Sequence, residues 1–422
     1  AELGTAWHEG IYVWIKKAFG ERWAFVGVWM LWVQMFFGMV MIGSFIAAML
    51  AFVFHPSLAN NNLFIAGAII VIYWVATLFN LRGLRSASII SSIGIIVGVF
   101  IPFALIIIMG IIYLLGGHHL QIEPLSWHAL FPKFNNINHL TFFIGIIFVY
   151  AGLEVSSVHA GEVNNTQKDY PKVLFFGVAL LMVLNIVGAF CIEMVVPAHS
   201  INLASGVMQT FTIFFTGHHL HWLIPIVAGM AFLGAFGQLS TWVLGPSKAM
   251  LSVAQNGDMP RWWQKTNKYG VPVRFVYTQA IAISVVALIY AVVPSINSAF
   301  FMVLILTTTL YATMYILLFA AGIRLRYKSP DTPRAYRVPG KNNSGMWILG
   351  VMGIITMLFV IVLSFFPPSN LKIASPLFYT LFQICGLTFF FVLPLIIFSR
   401  RKPEWKQTQT QTADDQQKTE GV

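Results

Sequence analysis

Glu154 is a carboxylate set inside an apolar run. The segment Phe148-Val149-Tyr150-Ala151-Gly152-Leu153-Glu154-Val155 places it among side chains that belong in hydrocarbon. An ionised side chain at bilayer depth costs ~2.5–3.5 kcal/mol on insertion scales, so it should face a cavity or a partner rather than lipid. Gly152, two residues earlier, lets a helix unwind, and unwound backbone is tolerated at that depth only where it lines a cavity or is covered by protein. A broken helix carrying a carboxylate can bind a substrate or pass a proton, with Tyr150, Gly152 and Glu154 as its residues. The structural alternative is a satisfied Glu that joins helices.

Two other apolar runs carry polar side chains in register. Thr308, Tyr311 and Tyr315 fall at i, i+3 and i+7, so their polar tips share one helical face that should line the interior. Gly234, Gly237, Gln238, Ser240, Thr241, Trp242 and Gly245 form a small and polar stretch within another run. Gln238 and Trp242 are candidates to contact a bound molecule, although small residues also serve close helix packing, and tyrosines can simply bond to neighbouring helices. Gly94 and Gly98 read as packing residues.

These side chains need long membrane helices to hold them. The chain of 422 residues is 58% hydrophobic and 9% charged, far from the about 45–50% and about 25% of soluble domains. A span needs about 20 apolar residues. Ten runs qualify, at 24–54, 63–81, 89–115, 140–161, 173–196, 223–253, 273–293, 300–322, 346–366 and 376–398. Several exceed what one bilayer needs, so tilts or breaks are expected. Residues 1–399 are read as one transmembrane domain. Residues 400–422, polar and rich in Gln and Thr, have too little apolar surface to bury and read as a disordered tail. The outer loops 118–139 and 199–221 could each hold a short amphipathic helix. Residues 1–22 read as the inner end of a helix whose apolar part would lie upstream.

The formal net charge of +11 is one-sided rather than diffuse. Threading the ten spans alternately puts Lys16, Lys17, Arg22, Arg82, Arg85, Lys168, Lys172, Arg261, Lys265, Lys268, Arg274, the basic loop 324–341 and the basic tail start on one face, leaving Lys133 and Lys372 opposite. Short loops rich in Lys and Arg stay in the cytoplasm, so both ends of the chain are expected there, with the spans in an inner membrane. A nucleic-acid binder has no reason to segregate its charge this way; membrane lipid is the expected surround, and the oligomeric state has no signature.

Nine of the eleven histidines fall on the opposite, outer face. Imidazole is the side chain whose charge changes between about pH 5 and 8. His118, His119, His218, His219 and His221 are therefore candidates for sensing external acid. The pair His218-His219 with His221 lacks the Cys or acidic companions of a metal site, and no metal or cofactor is expected. Cys191 and Cys385 lie in apolar runs and read as small buried side chains. Phosphate loops, His-Glu-x-x-His and Gly-x-Ser-x-Gly are missing, so no enzyme class is indicated.

Several motifs together carry a resemblance. Ala1-Glu2-Leu3 with Glu9-Gly10-Ile11-Tyr12, Gly152-x-Glu154 followed by Glu162 and Lys168-Asp169-Tyr170-Pro171, Ile201-Asn202-Leu203 with 206–212, Gly245-Pro246-Ser247, 270–273, and Phe366-Pro367-Pro368 with Asn370 make the chain resemble the amino acid–polyamine–organocation transporters, most closely the bacterial glutamate/GABA antiporters. The resemblance runs from residue 1 to about residue 398. It implies an all-α LeuT-type fold of five plus five inverted repeats and two further helices, the chain starting at the end of the second helix and lacking the first, which helps to bind substrate. It also implies that Glu154, Tyr311 and Tyr315 take part in substrate recognition or gating. Gln238 stands where a glutamate is usual in similar antiporters, and Thr166 where a loop proline is usual. The tail is shorter than the cytoplasmic plug of that subfamily.

The expected function is amino acid antiport, external glutamate for internal GABA, in acid resistance, with the substrate between the fourth, sixth and eighth spans. The alternatives are a proton-coupled permease or exchanger for another amino acid or a polyamine, a membrane-embedded enzyme, for which Glu154 has no evident catalytic partner, and a pseudo-transporter acting as a sensor.

Overall fold

The computed structural model describes residues 1–7, 10–82, 94–122, 137–155, 169–368 and 375–406. Outside them lie Glu9, Arg85, the start of the third predicted span, most of the outer loop 118–139, the end of the fourth span, Glu162, Thr166, Lys168, Asn370 and the tail from residue 407. The described chain is all-α and without strands. Among the described residues nine helices are long and apolar enough to cross a membrane. We label α1 Glu2–Ala6, α2 Ile11–Phe19, α3 Glu21–Phe54, α4 Asn62–Asn80 and α5 Ile96–Leu115, followed by the short α6 Phe143–Val149. Then come α7 Asp169–Val195, α8 Gly206–Gly217, α9 Leu223–Val253, α10 Val273–Ala287, α11 Ile296–Lys328, α12 Ser344–Leu363 and α13 Pro376–Ser399. Each predicted span corresponds to one of these helices, and the fourth is the broken one. Helix α8 fills the outer loop 199–221, as its composition suggested.

Burial sorts the helices into a centre and a rim. Helix α3 is buried around most of its circumference, and α11 is nearly so, whereas α13 turns Leu377, Leu381, Phe389, Val392 and Ile396 outward as a lipid-facing helix does. Helix α3 is joined to its neighbours by a polar network inside the apolar core. The Gln279 Oε1 of α10 accepts from Trp32 Nε1 at 3.1 Å and from the Ser247 hydroxyl at 3.0 Å, and its amide donates to the Tyr73 hydroxyl. Four helices meet at that one amide, and all four side chains are at most 2% exposed. Unpaired polar groups there would cost several kcal/mol, so the network specifies which helices meet. Gly98 and Gly234 were each read as small residues in a span, and they form a single contact: a Cβ on Gly98 would lie 2.4 Å from the Gly234 backbone. Cys191 is buried, but Cys385 is exposed on the outward face of α13, contrary to the reading from its apolar run, which did not separate lipid-facing from core positions.

The two ends differ in charge as the alternation required. The starts of α3 and α7 and the ends of α4, α9, α11 and α13 share the basic end. His55, His118, His119, His199, His218, His219 and His221 are exposed at the other. Residues 1–22 do not form one continuing helix. Helix α1 stops at Ala6 with Trp7 extended, and α2 is a separate amphipathic helix between Gly10 and Gly20, both at positive φ. Glu2 is buried at 5% exposure and is gripped by Arg326 through Nε and Nη2, by Arg334 Nε at 3.4 Å and by the Val338 amide at 2.8 Å.

Residues 400–406 of the tail are not disordered. Arg401 bonds Glu21 at 2.9 Å and reaches Asp258 at 3.4 Å, and the Trp405 carbonyl accepts from Gln264 Nε2 at 2.7 Å. Asp258 also accepts from the Tyr12 hydroxyl at 3.0 Å, while burial and then the Asp258 charge hold the Tyr12 phenol well above its ordinary pKa. A polar composition was read as nothing to bury; specific hydrogen bonds anchor the segment instead.

Candidate functional site

The fourth span is helical to Val149 and then turns. Tyr150 leaves helical geometry, Gly152 takes φ +101°, a conformation that strains side chains with a Cβ, and a short turn carries Glu154. A Cβ at Gly152 would meet the Trp242 ring at 3.3 Å and the Tyr311 hydroxyl at 3.6 Å. The expectation of a break at Gly152 is met, and Trp242 of α9 packs against it.

Helix α11 supplies the partners of Glu154. The Tyr311 hydroxyl donates to Oε1 and the Tyr315 hydroxyl to Oε2, while Tyr315 also accepts the Gly152 amide hydrogen at 2.9 Å. The two tyrosines are one turn apart with ring centroids 5.0 Å from each other. That is the consequence of their i, i+4 spacing. Thr308, one turn earlier, turns its hydroxyl back to the Leu304 carbonyl at 2.8 Å.

These groups open on a cavity of about 640 Å³. Tyr150, Glu154, Thr308, Tyr311 and Tyr315 line it, with apolar side chains of α7, α11 and α12 and the first residues of the chain. The cavity thus combines two carboxylates, Glu2 and Glu154, with five phenols and largely apolar walls, the composition that holds a small molecule by a few placed polar groups. Two candidates stand differently. Trp242 touches the back of Gly152 and does not line the cavity. Gln238 is exposed on α9 and is not brought to Glu154; the cavity lies between the fourth and eighth spans, closed by α7 and α12, and of the sixth span Trp242 alone of the candidates packs behind Gly152. Glu2 and Tyr170 also line the cavity and were missed as site residues. Their only sequence signal was membership in the motifs quoted for the resemblance. At the other end, the His118 ring stacks on Tyr113 at 4.6 Å, and Tyr113 bonds the His119 carbonyl at 3.1 Å. His218, His219 and His221 cluster at the turn between α8 and α9, with His219 at φ 59°.

Among the described residues, an all-helical fold with nine apolar spans, a broken span and a cavity at the break has the architecture of a polytopic membrane protein. Residues 1–391 match the amino acid permease family, and the chain belongs to it. It is similar to an uncharacterized transporter of Legionella pneumophila, 34% identical over 96% of this chain and 87% of the relative. A glutamate/gamma-aminobutyrate antiporter of Lactococcus lactis is 31% identical over 94% of this chain and 80% of its own length. A probable agmatine/putrescine antiporter of the same species is 27% identical over 86% of this chain and 76% of its own length.

Proposed function

We propose that the protein is an amino acid antiporter of a bacterial inner membrane that takes up glutamate in exchange for internal GABA. The observation that carries this reading is Glu154, held at a helix break by two phenols on the wall of a cavity large enough for such molecules. A carboxylate there suits the ammonium group common to both substrates. The likeness to glutamate/gamma-aminobutyrate antiporters supports the pair. By the Lys/Arg bias the basic end is cytoplasmic. The histidine end then faces outward, where His118, His119, His218, His219 and His221 would respond to external acid.

Glu154 equally suits an amine without a carboxylate, so exchange of polyamines is the second reading, supported by the likeness to an agmatine/putrescine antiporter. Counterflow in proteoliposomes decides between them: vesicles loaded with GABA should accumulate labelled glutamate and not agmatine or putrescine. Accumulation of the amines alone would overturn the first reading. Thiol labelling of Ser344→Cys and Thr216→Cys tests the sidedness, since only the first should be protected from a reagent added outside cells.

A further inference from the structure

Three guanidinium groups cluster with one carboxylate at the basic end. Arg326 and Arg334 both reach Glu2, and all three of these side chains are at most 4% exposed. Arg337 joins them through Asn343, whose Oδ1 accepts from Arg326 Nη1 and from Arg337 Nη2, each at 3.1 Å. Burial lowers the Arg334 guanidinium from its ordinary pKa; the Glu2 charge opposes this, and the charges of Arg326 and Arg337 add to it. The cluster therefore holds an excess of positive charge that Glu2 alone does not offset. Arg334 turns its terminal nitrogens to the carbonyls of Leu325, Ser329, Pro330 and Thr332. Arg337 has no such set. It is exposed, and no described carboxylate lies within ion-pair distance of it. Elsewhere at this end Lys16 and Arg401 are already paired with Glu21.

Arg337, Asn343 and the backbone between them border a hollow of about 520 Å³. The hollow stands at the head of a lipid-facing stripe. Asn343 precedes α12, and Trp347, Val351, Ile355, Leu358 and Val362 follow it at helical spacing, all five exposed. Trp347 donates its indole hydrogen to the Tyr327 hydroxyl of α11 at 2.7 Å, and both rings are exposed. Such rings belong at the level where hydrocarbon gives way to headgroups. Asn343 lies one turn beyond Trp347, about 6 Å further along the axis. That is the level of lipid phosphates.

We infer that the hollow binds the phosphate of an anionic phospholipid, with Arg337 as its charge partner and the acyl chains laid along the α12 stripe. A guanidinium presents paired donors that suit phosphate oxygens. Lys341, exposed two residues before Asn343, adds a second cation. The anion would offset the mutual repulsion of Arg326, Arg334 and Arg337, whereas the ammonium of a zwitterionic lipid meets that repulsion. Basic pockets beside membrane helices on the cytoplasmic side are suited to anionic headgroups. The inference does not depend on which substrate the protein carries.

Native mass spectrometry of the full chain in detergent, with phosphatidylglycerol or phosphatidylcholine added, tests the site. The unchanged protein should retain phosphatidylglycerol in preference to phosphatidylcholine; equal retention of the two overturns the proposal. Arg337→Gln with Lys341→Gln should weaken phosphatidylglycerol binding by about tenfold or more, the worth of a lost charge-assisted hydrogen bond. Arg337→Lys keeps the charge and should retain most of the binding. Lys265→Gln with Lys268→Gln removes as many charges from another exposed loop of the same end and should leave binding unchanged. Equal loss in the two paired variants would make the attraction a diffuse property of the basic end and overturn the site. Inorganic phosphate at the lipid's concentration should not displace it; displacement assigns the hollow to soluble phosphate and overturns the membrane source.

Discussion

Tyr315 spans the break of the fourth span: its hydroxyl receives the Gly152 amide hydrogen at 2.9 Å and passes its own hydrogen to Glu154. One side chain of α11 therefore fixes both the unwound backbone and the carboxylate beside it. Tyr315→Phe should leave an amide hydrogen and a carboxylate oxygen unpaired, costing about 1–3 kcal/mol. Tyr311→Phe removes a bond to Glu154 alone and should cost less. Thermal unfolding in detergent ranks the two, and equal effects would contradict the double role of Tyr315.

Glu154→Gln keeps the shape of the side chain and removes its charge. Substrate affinity should fall about tenfold or more if the carboxylate holds an ammonium group. Expression and thermal stability should be close to those of the unchanged protein, because the two phenols can bond a neutral amide. Normal exchange at every pH would make Glu154 a helix-joining residue.

Arg326→Met removes the two-pronged partner of the buried Glu2 carboxylate, leaving it only Arg334 and the Val338 amide, and should destabilise the protein by about 3 kcal/mol. The double change Glu2→Gln with Arg326→Met removes both charges and should recover part of that loss. A double variant no more stable than the single one would show that the Arg334 and Val338 contacts of Glu2, at 3.4 and 2.8 Å, matter more than its pair with Arg326.

Exchange measured against external pH should rise with acid. Replacing His118, His119, His218, His219 and His221 together by Gln should flatten that response or move it to lower pH. All five are exposed, so the change should alter stability little. An unchanged profile would assign acid response elsewhere, with Glu154 the next group to test.

The spans were legible because apolar length is a local property: the run 223–253 and the helix Leu223–Val253 coincide. The break was legible from Gly152 and Glu154 standing where neither fits an unbroken lipid-facing helix. The i, i+4 spacing of Tyr311 and Tyr315 placed their tips together but could not say that Glu154 lay between them, 157 residues earlier than Tyr311. That Gln238 does not meet Glu154 has a related reason. Polarity in a span signals a route or a cavity without saying which, and the packing of α9 turns Gln238 away from the carboxylate it was expected to join. The grip of Arg326 on Glu2 joins residues 324 apart and was read only as loop charge.

The Gln279 amide ties α3, α4, α9 and α10 at one buried point, while the carboxylate-bearing turn after α6 depends on hydroxyl contacts from a single helix. Local opening free energies should therefore form a gradient across the molecule. In hydrogen–deuterium exchange, the amides of α3 should be the last to take up deuterium and those of residues 150–155 among the first. Substrate should slow exchange at that turn far more than in the four-helix frame, which serves as a fixed reference for any movement of the broken span.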